Sequence, residues 1–485
     1  MEMTNFANIM RWVHTTDIHG MEMLQNLKQQ LGADVLSDGG DCLQGSSWTA
    51  FASSGMIAEE MNQMGYDVGV AGNHDIAAGK ECLELWARNC KFPLLGMNGR
   101  YYTVIEKEGM KIGVAGFMFA DLQEQVHEAV KKLLETEKVD LLVGLFHSGW
   151  EGGMMNENIT RKVAEETVGF DLILYGHDHH TAVHRVQNKH GKEVLCVGGG
   201  CCGMATIINC QQHKENGWTF DVEFRYAGME HETRAEHFPK YKEWLNTPIA
   251  TLTDKIEECD SFFGPSAFIT LFHKMQFWAT GADISFASPV NYDSAVSAGM
   301  LRMKDMFTLY RFDTQLFIMQ LSGKEIRNVL ERSYGRWANE MRQASDDALL
   351  MGFILDGGTR KGLINSSLNM LSAEGIDYTV DITQPSGKKV AILQMSDGRA
   401  FDENSTYTVA VNSHHGTGWG GLFPNVDLAE KIIKTHALST RECLTEYLRQ
   451  QSIYVPETHS NWKFVPTAWA DEALKRDRAI LFGKE

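Results

Sequence analysis

Along the first 230 or so residues, short β-branched apolar runs alternate with polar motifs and then with segments of helical period. MRWVHTTDIHG leads into the amphipathic MEMLQNLKQQL, and ADVLSDGGD leads into SWTAFASSGMIAEEMNQM. YDVGVAGNHD, KIGVAGFMF, DLLVGLFHSG and FDLILYGHDHH continue the series. Short continuous apolar runs predict strands buried on both faces, and the helical segments between them predict an α/β topology. In sheets of that kind, ligands collect beyond the carboxyl ends of the strands. The polar motifs fall there.

The pattern changes near Met229. MEHETRAEHFPKYKEWLNTPIATLTDKIEECD is charged and helix-favouring. It predicts a connecting helical segment over 231–262, between one domain at 1–230 and another at 263–485. In the later part, ADISFAS, TQLFIMQLSGKEIRNVLERSYGRW, YTVDITQP and TYTVAVNS predict further α/β structure. QPSGKK and SHHGTGWGG are turn or loop chemistry. Internal repeats and low-complexity tracts are absent from the sequence.

Composition narrows the class. A chain of 485 residues exceeds one ordinary core, so two domains are expected. Its 43% hydrophobic and 22% charged residues are those of a globular protein. A net charge of −18 argues against a binder of nucleic-acid polymers or acidic membranes. A phosphate ligand would therefore need local cations to overturn the global field. The start MEMTNFANIMRWVHTTD has neither a basic n-region nor an apolar h-region, and no apolar stretch is long enough to span a bilayer. Nine scattered cysteines without framework spacing point to a reducing compartment, so a cytoplasmic location is expected.

The strand-end motifs carry the candidate chemistry. They offer Asp17 and His19, then Asp41, then Asn73, His74 and Asp75, then His147, and finally His177 and His179. Carboxylates mixed with imidazoles favour borderline divalent ions such as zinc, manganese, iron, cobalt or nickel over a calcium or magnesium cage. The pairs Asp17-x-His19 and His177-x-His179 would each converge on one centre if their backbone were extended. His14, Asp178 and His180 read as packing, supporting or solvent-facing groups. Cys201 and Cys202 have the wrong spacing for a zinc knuckle and read as a buried structural pair. The 24 methionines read as core filler.

This ordered set resembles the calcineurin-like metallophosphoesterases, whose motifs run D-x-H, G-D, G-N-H-[DE], H and G-H-x-H. All five occur here in that order. The resemblance implies a four-layer α/β/β/α sandwich. It also implies two divalent ions, with Asp17, His19 and His179 on the first, Asn73, His147 and His177 on the second, and Asp41 bridging both. His74 would then sit over the substrate and assist the leaving oxygen, with Asp75 orienting it. The implied reaction is in-line attack on phosphorus by a hydroxide held between the ions, without a covalent enzyme intermediate.

The stretches DMFTLYRFDTQLFIMQLSGKEIRNVLERS, GIDYTVDITQP and DGRAFDENSTYTVAVNSHHGTGWGG are similar to the C-terminal domain of 5′-nucleotidases. YTVDITQP and ERSYGRW look closest to the branch with 2′,3′-cyclic-nucleotide 2′-phosphodiesterases. That likeness implies a C-terminal α/β substrate-binding domain that grips a nucleoside, commonly between two aromatic rings. Here the Arg-bearing N-G-G-G-I-R motif is replaced by ASPVNYDSA, and His414 stands where the late loop of relatives has Tyr. Trp419 supplies a stacking face in the same loop, while the other stacking position falls near Leu368, which has no ring. The expected activity is hydrolysis of nucleotide phosphoesters. The alternatives are a sugar-phosphate or UDP-sugar hydrolase of the same fold and an inactive nucleotide-binding protein.

Overall fold

The apolar runs form parallel strands in the computed structural model, which describes residues 6–107, 109–152, 157–213, 217–229, 233–355, 358–423 and 428–483. The chain divides into two units, Met1–Glu243 and Trp244–Glu485. In the first unit the strands are β1 (Phe6–Thr15), β2 (Val35–Asp38), β3 (Val68–Val70), β4 (Leu94–Leu95), β5 (Tyr102–Lys107) and β6 (Met110–Met118). They continue with β7 (Leu141–His147), β8 (Leu172–Tyr175), β9 (Thr181–Gln187), β10 (Glu193–Gly199), β11 (Met204–His213) and β12 (Gly217–Tyr226). One six-stranded sheet runs β12-β11-β1-β2-β3-β4 and the other β5-β6-β7-β8-β10-β9.

Three apolar clusters make these sheets the inner layers of a four-layer sandwich. Trp12, Val35, Val68 and Val70 of the first sheet pack on Val114, Val143, Leu145 and Leu174 of the second. On the outer face of the first sheet, Val13 and Leu36 meet Ile57 and Met61 of the helix Ser54–Met64 and Trp86 of the helix Lys80–Asn89. On the outer face of the second, Leu142, Phe146 and Ile173 meet Val126, Val130 and Leu133 of the helix Phe119–Thr136. Every residue of β7 is buried, which is why its sequence is apolar at consecutive positions. Burying each such Val, Leu or Phe contributes roughly 1.5–3 kcal/mol.

The pattern of strand, motif and helix is interrupted by the antiparallel hairpin of β5 and β6 and ends after β8. Strands β9 and β10 pair antiparallel, as do β11 and β12. In β9 and β12 exposed and half-buried residues alternate, the signature of antiparallel edge strands. MEMLQNLKQQL is helical only over Leu27–Gln30, because Asn26 is left-handed and Met23 bridges to Gly228. The segment expected to be a helical connection is helical over Arg234–His237 and Pro239–Leu245. Beyond that it forms strands Pro248–Leu252 and Ile256–Glu257 and a 3-10 turn Glu258–Phe262.

The second unit is built on a five-stranded sheet of Ser372–Glu374, Ile284–Ala287, Thr406–Asn412, Gln315–Ser322 and Ile432–Ser439, in that order. Met319, Phe286 and Val411 pack on one side with Ile326, Leu330 and Tyr334 of the helix Gly323–Trp337. Leu316 and Ala287 pack on the other with Leu271 and Met275 of the helix Ala267–Thr280. The strand-to-helix switch inside TQLFIMQLSGKEIRNVLERSYGRW falls at Ser322, whose hydroxyl accepts the Glu325 N–H while the Glu325 carboxylate accepts the Ser322 N–H. Among the described residues, no helix is long and apolar enough to cross a membrane.

Candidate metal centre

Each polar motif sits at or just past the carboxyl end of a parallel strand. Asp17 and His19 follow β1, Asp41 follows β2, and Asn73 opens the short helix Asn73–Ala77 after β3. His147 is the last residue of β7, and His177 and His179 follow β8. The strand ends of β1, β2 and β3 lie side by side in one sheet and those of β7 and β8 in the other.

The loops beyond them are not extended. Asp17, His19, Asp41, His177 and His179 are all left-handed, with φ of 51°, 50°, 63°, 80° and 59°. Non-glycine residues there cost of order 1 kcal/mol or more each, and such strain gathers at functional sites. The extended-pair expectation is therefore corrected. Sharp turns, not strand alternation, aim these side chains, and His177 and His179 go to different clusters. Crossed backbone bonds hold the turns, Asp17 N–H to Gly40 O at 2.9 Å and His19 N–H to Asp41 O at 2.9 Å. A side chain at Gly72 would collide with Asp41 and His147, so only glycine lets these loops close.

Two triads result, Asp17 with His19 and His179, and Asp41 with His147 and His177, the ligand atoms of each lying within 4.8 Å of one another. His19 Nδ1 lies 2.9 Å from Gln44 O and His147 Nδ1 lies 2.7 Å from Gly39 O. Both rings thus donate through Nδ1 and aim Nε2 inward, the arrangement that orients metal-binding imidazoles. His19 Nε2 is 3.3 Å from His179 Nε2, and His147 Nε2 is 2.9 Å from Asn73 Oδ1. Asp17 Oδ2 accepts the His177 N–H and the Thr16 hydroxyl, but buried Oδ1 has no hydrogen bond, its neighbour His179 Nε2 standing 3.4 Å away. An orphaned carboxylate oxygen facing imidazole nitrogens fits a cation. One carboxylate and two imidazoles per triad fit a borderline divalent one.

The electrostatics agree. Burial opposes charge on His147, yet Asp41 and then Asp17 push it up to about 10. Burial likewise opposes charge on Asp17, but His179 and His147 hold its carboxyl below the usual range. Burial, followed by the charge on His147, pushes His177 down to about 4. The pocket draws positive charge while keeping one imidazole neutral.

His74 and Asp75 behave differently from the expectation. Asp75 is buried and does not reach the His74 ring. Its Oδ2 accepts the N–H groups of Asp41 and Gly72 at 2.8 and 2.9 Å, and its Oδ1 those of Cys42 and Leu43 at 2.8 Å each. Four acceptor positions consumed by backbone leave it an anchor of the Asp41 loop. The ring partner of His74 is Gln44, with Nδ1 3.3 Å from Oε1, while the His74 N–H donates to Asp41 Oδ1 at 2.8 Å. The motifs gave no hint of Gln44; its only signal is a polar side chain three residues past Asp41.

Among the bystanders, His14 is buried against Ser37, Asp178 accepts the Trp150 N–H at 2.8 Å, and His180 is exposed. The reading of Cys201 and Cys202 as a buried pair is overturned, since Cys201 is half-buried and Cys202 exposed. In the second unit, the rings of His414 and Trp419 are near-parallel at 21° with centroids 6.2 Å apart. Arg332 and Arg336 hold the same loop through the carbonyls of Gly420 and Gly421. Leu368 is half-buried against the core, and its carbonyl lies 2.8 Å from His415 Nε2.

Residues 10–181 match the calcineurin-like phosphoesterase family, and residues 248–427 match the 5′-nucleotidase C-terminal domain. The trifunctional nucleotide phosphoesterase protein of Bacillus subtilis is 23% identical over 92% of this chain, which spans only 37% of that protein's length. The 2′,3′-cyclic-nucleotide 2′-phosphodiesterase/3′-nucleotidase of Haemophilus influenzae is 20% identical over 94% of this chain and 85% of its own. A Staphylococcus aureus structure solved with alpha-ketoglutarate shares the fold at TM-score 0.76, with 17% identity over 94% of this chain and all of that one.

Proposed function

Because the chain belongs to the calcineurin-like phosphoesterases and carries a 5′-nucleotidase C-terminal domain, we propose that it hydrolyses nucleotide phosphoesters with two divalent ions. The observation that carries this reading is the pair of triads, with the buried Asp17 oxygen that no hydrogen bond satisfies. Asp17, His19 and His179 would hold one ion, and Asn73, His147 and His177 the other, with Asp41 between them. When bound, such ions supply Lewis-acid charge at the phosphate oxygens and a nucleophile at neutral pH.

The chain's own residues do the rest. The carbonyls of Gln44 and Gly39 keep His19 and His147 in the tautomer that presents Nε2. Gln44 accepts from His74 Nδ1–H, which frees Nε2 to face the leaving oxygen and share a proton with it. Asp75 holds the loop that carries Asp41. Trp419 and His414 supply the aromatic surface for a base. Nine cysteines, none of them joined in a disulfide among the described residues, support a reducing, cytoplasmic setting.

A panel of AMP, 2′,3′-cyclic AMP, UDP-glucose and simple monoesters, run with manganese or zinc, tests the reading. Preference for the nucleotides is expected, and equal turnover of non-nucleotide esters would overturn nucleotide specificity. One feature favours a sugar-phosphate or UDP-sugar substrate instead, the ringless Leu368, half-buried against the core. In that case UDP-glucose or a hexose phosphate would lead the panel.

A further inference from the structure

The turn between β10 and β11 carries adjacent thiols that no step of the proposed hydrolysis uses. Cys202 is exposed and Cys201 half-buried, and the two are neighbours in the chain. The turn is seated firmly. Cys202 N–H donates to Asp17 O at 3.0 Å, Met204 N–H to Cys201 O at 3.1 Å, and Ala227 N–H to Gly203 O at 2.8 Å. Cys202 is itself left-handed, with φ 51°. Neither sulfur belongs to a triad, and among the described residues the clusters able to hold a metal contain no cysteine. The pair is therefore reachable from solvent, outside the ligand set, and tied by one backbone bond to a residue inside it.

We propose that Cys201 and Cys202 are a dithiol modification site, closed to a cyclic disulfide by exchange with a small disulfide of the glutathione type. The Cys202 sulfur attacks one sulfur of the reagent, whose S–S bond breaks and releases one thiol with the electron pair. The Cys201 sulfur then attacks the Cys202 sulfur of the mixed disulfide and releases the second thiol. The two cysteines lose two electrons and two protons, and the reagent gains both. Ring closure changes the turn whose amide holds Asp17 O, so it weakens the triad of Asp17, His19 and His179 and spares that of Asp41, His147 and His177. This second half rests on the reading of the triads as metal sites; the first half does not.

The test incubates the full chain with oxidised glutathione, maps peptides by mass and titrates manganese by calorimetry. The expected wild-type product is a peptide carrying both cysteines that has lost two hydrogens and bears no adduct. Cys201→Ser should stop at a glutathionyl adduct on Cys202, and Cys202→Ser should form no ring. Manganese affinity should fall at least about tenfold at one of two sites in oxidised wild type, and treated Cys202→Ser should match the untreated chain. Free thiols after treatment, or a stable glutathionyl adduct on wild type, would overturn the modification site. A closed ring with both manganese affinities unchanged would overturn the link to Asp17. Failure of the nucleotide panel with a closed ring would count against the hydrolase reading alone.

Discussion

The carboxylate of Asp75 reaches 34 positions back along the chain and accepts the amide of Asp41 at 2.8 Å. Together with its bonds to Gly72, Cys42 and Leu43, this clamps the left-handed turn that turns Asp41 toward His147. Asp75→Asn replaces one acceptor oxygen with an N–H₂ group that faces amides. It should lower stability by about 1–3 kcal/mol and weaken metal binding at the Asp41 triad. Thermal melts with and without manganese check this, and an unchanged melt would show that the clamp contributes nothing.

The contact of Gln44 with His74 leads to a kinetic expectation. If Gln44 sets the ring that protonates the leaving oxygen, Gln44→Ala should slow nucleoside monophosphates about 10²-fold or more in kcat. p-Nitrophenyl phosphate, whose leaving group needs no proton, should lose far less. Gln44→Glu keeps an acceptor and should restore part of the loss. Equal losses on both substrates would assign Gln44 to support of His19 alone, through its carbonyl.

Removing ligands tests the centre directly. His177→Ala and Asp41→Asn should each lose metal, seen by elemental analysis, and at least about 10²-fold in activity. Chelator treatment of wild type should abolish hydrolysis and lower Tm, because an ion bound to the folded state alone stabilises it. Variants that hydrolyse as fast as wild type would end the catalytic reading.

His273 provides a pH dependence distant in sequence from these ligands. Its Nδ1 lies 2.8 Å from Ser285 Oγ, which donates to Gln276, and burial followed by the charge of His459 pushes the ring down to about 3. An unfolded chain titrates the same ring near 6.5. Between these values the unfolded state binds more protons, so stability is lost as pH falls through the window, at about 1.4 kcal/mol per pKa unit. Hydrogen exchange of the helix Ala267–Thr280 should quicken between about pH 7 and about pH 4.5 after correction for intrinsic exchange. His273→Gln should flatten that dependence, and parallel curves for the two proteins would refute the assignment.

The α/β class and the strand-end position of every candidate ligand were legible in residues 10–181. Strands β2, β3, β7 and β8 there are short, fully buried and parallel, so their apolar runs carry the signal without help from neighbours. The hairpins of 181–226 were not legible, because half-buried edge strands alternate weakly and owe their pairing to residues elsewhere. Strands at 248–252 and 256–257 were hidden in the same way by charged flanks.

The sequence by itself determined the candidate donors, since the affinity of imidazole and carboxylate for a divalent ion belongs to the residue type. Tertiary structure decided which donors meet. His19 and His179 are 160 positions apart, and their 3.3 Å approach depends on left-handed turns in two loops that local periodicity does not encode. The same turns passed the ring of His74 to Gln44, turned Asp75 into a clamp and left Cys202 in solvent beside Asp17. Dihedral choices in loops are fixed by the contacts that over-determine them, and those contacts exist only once the sheets have packed.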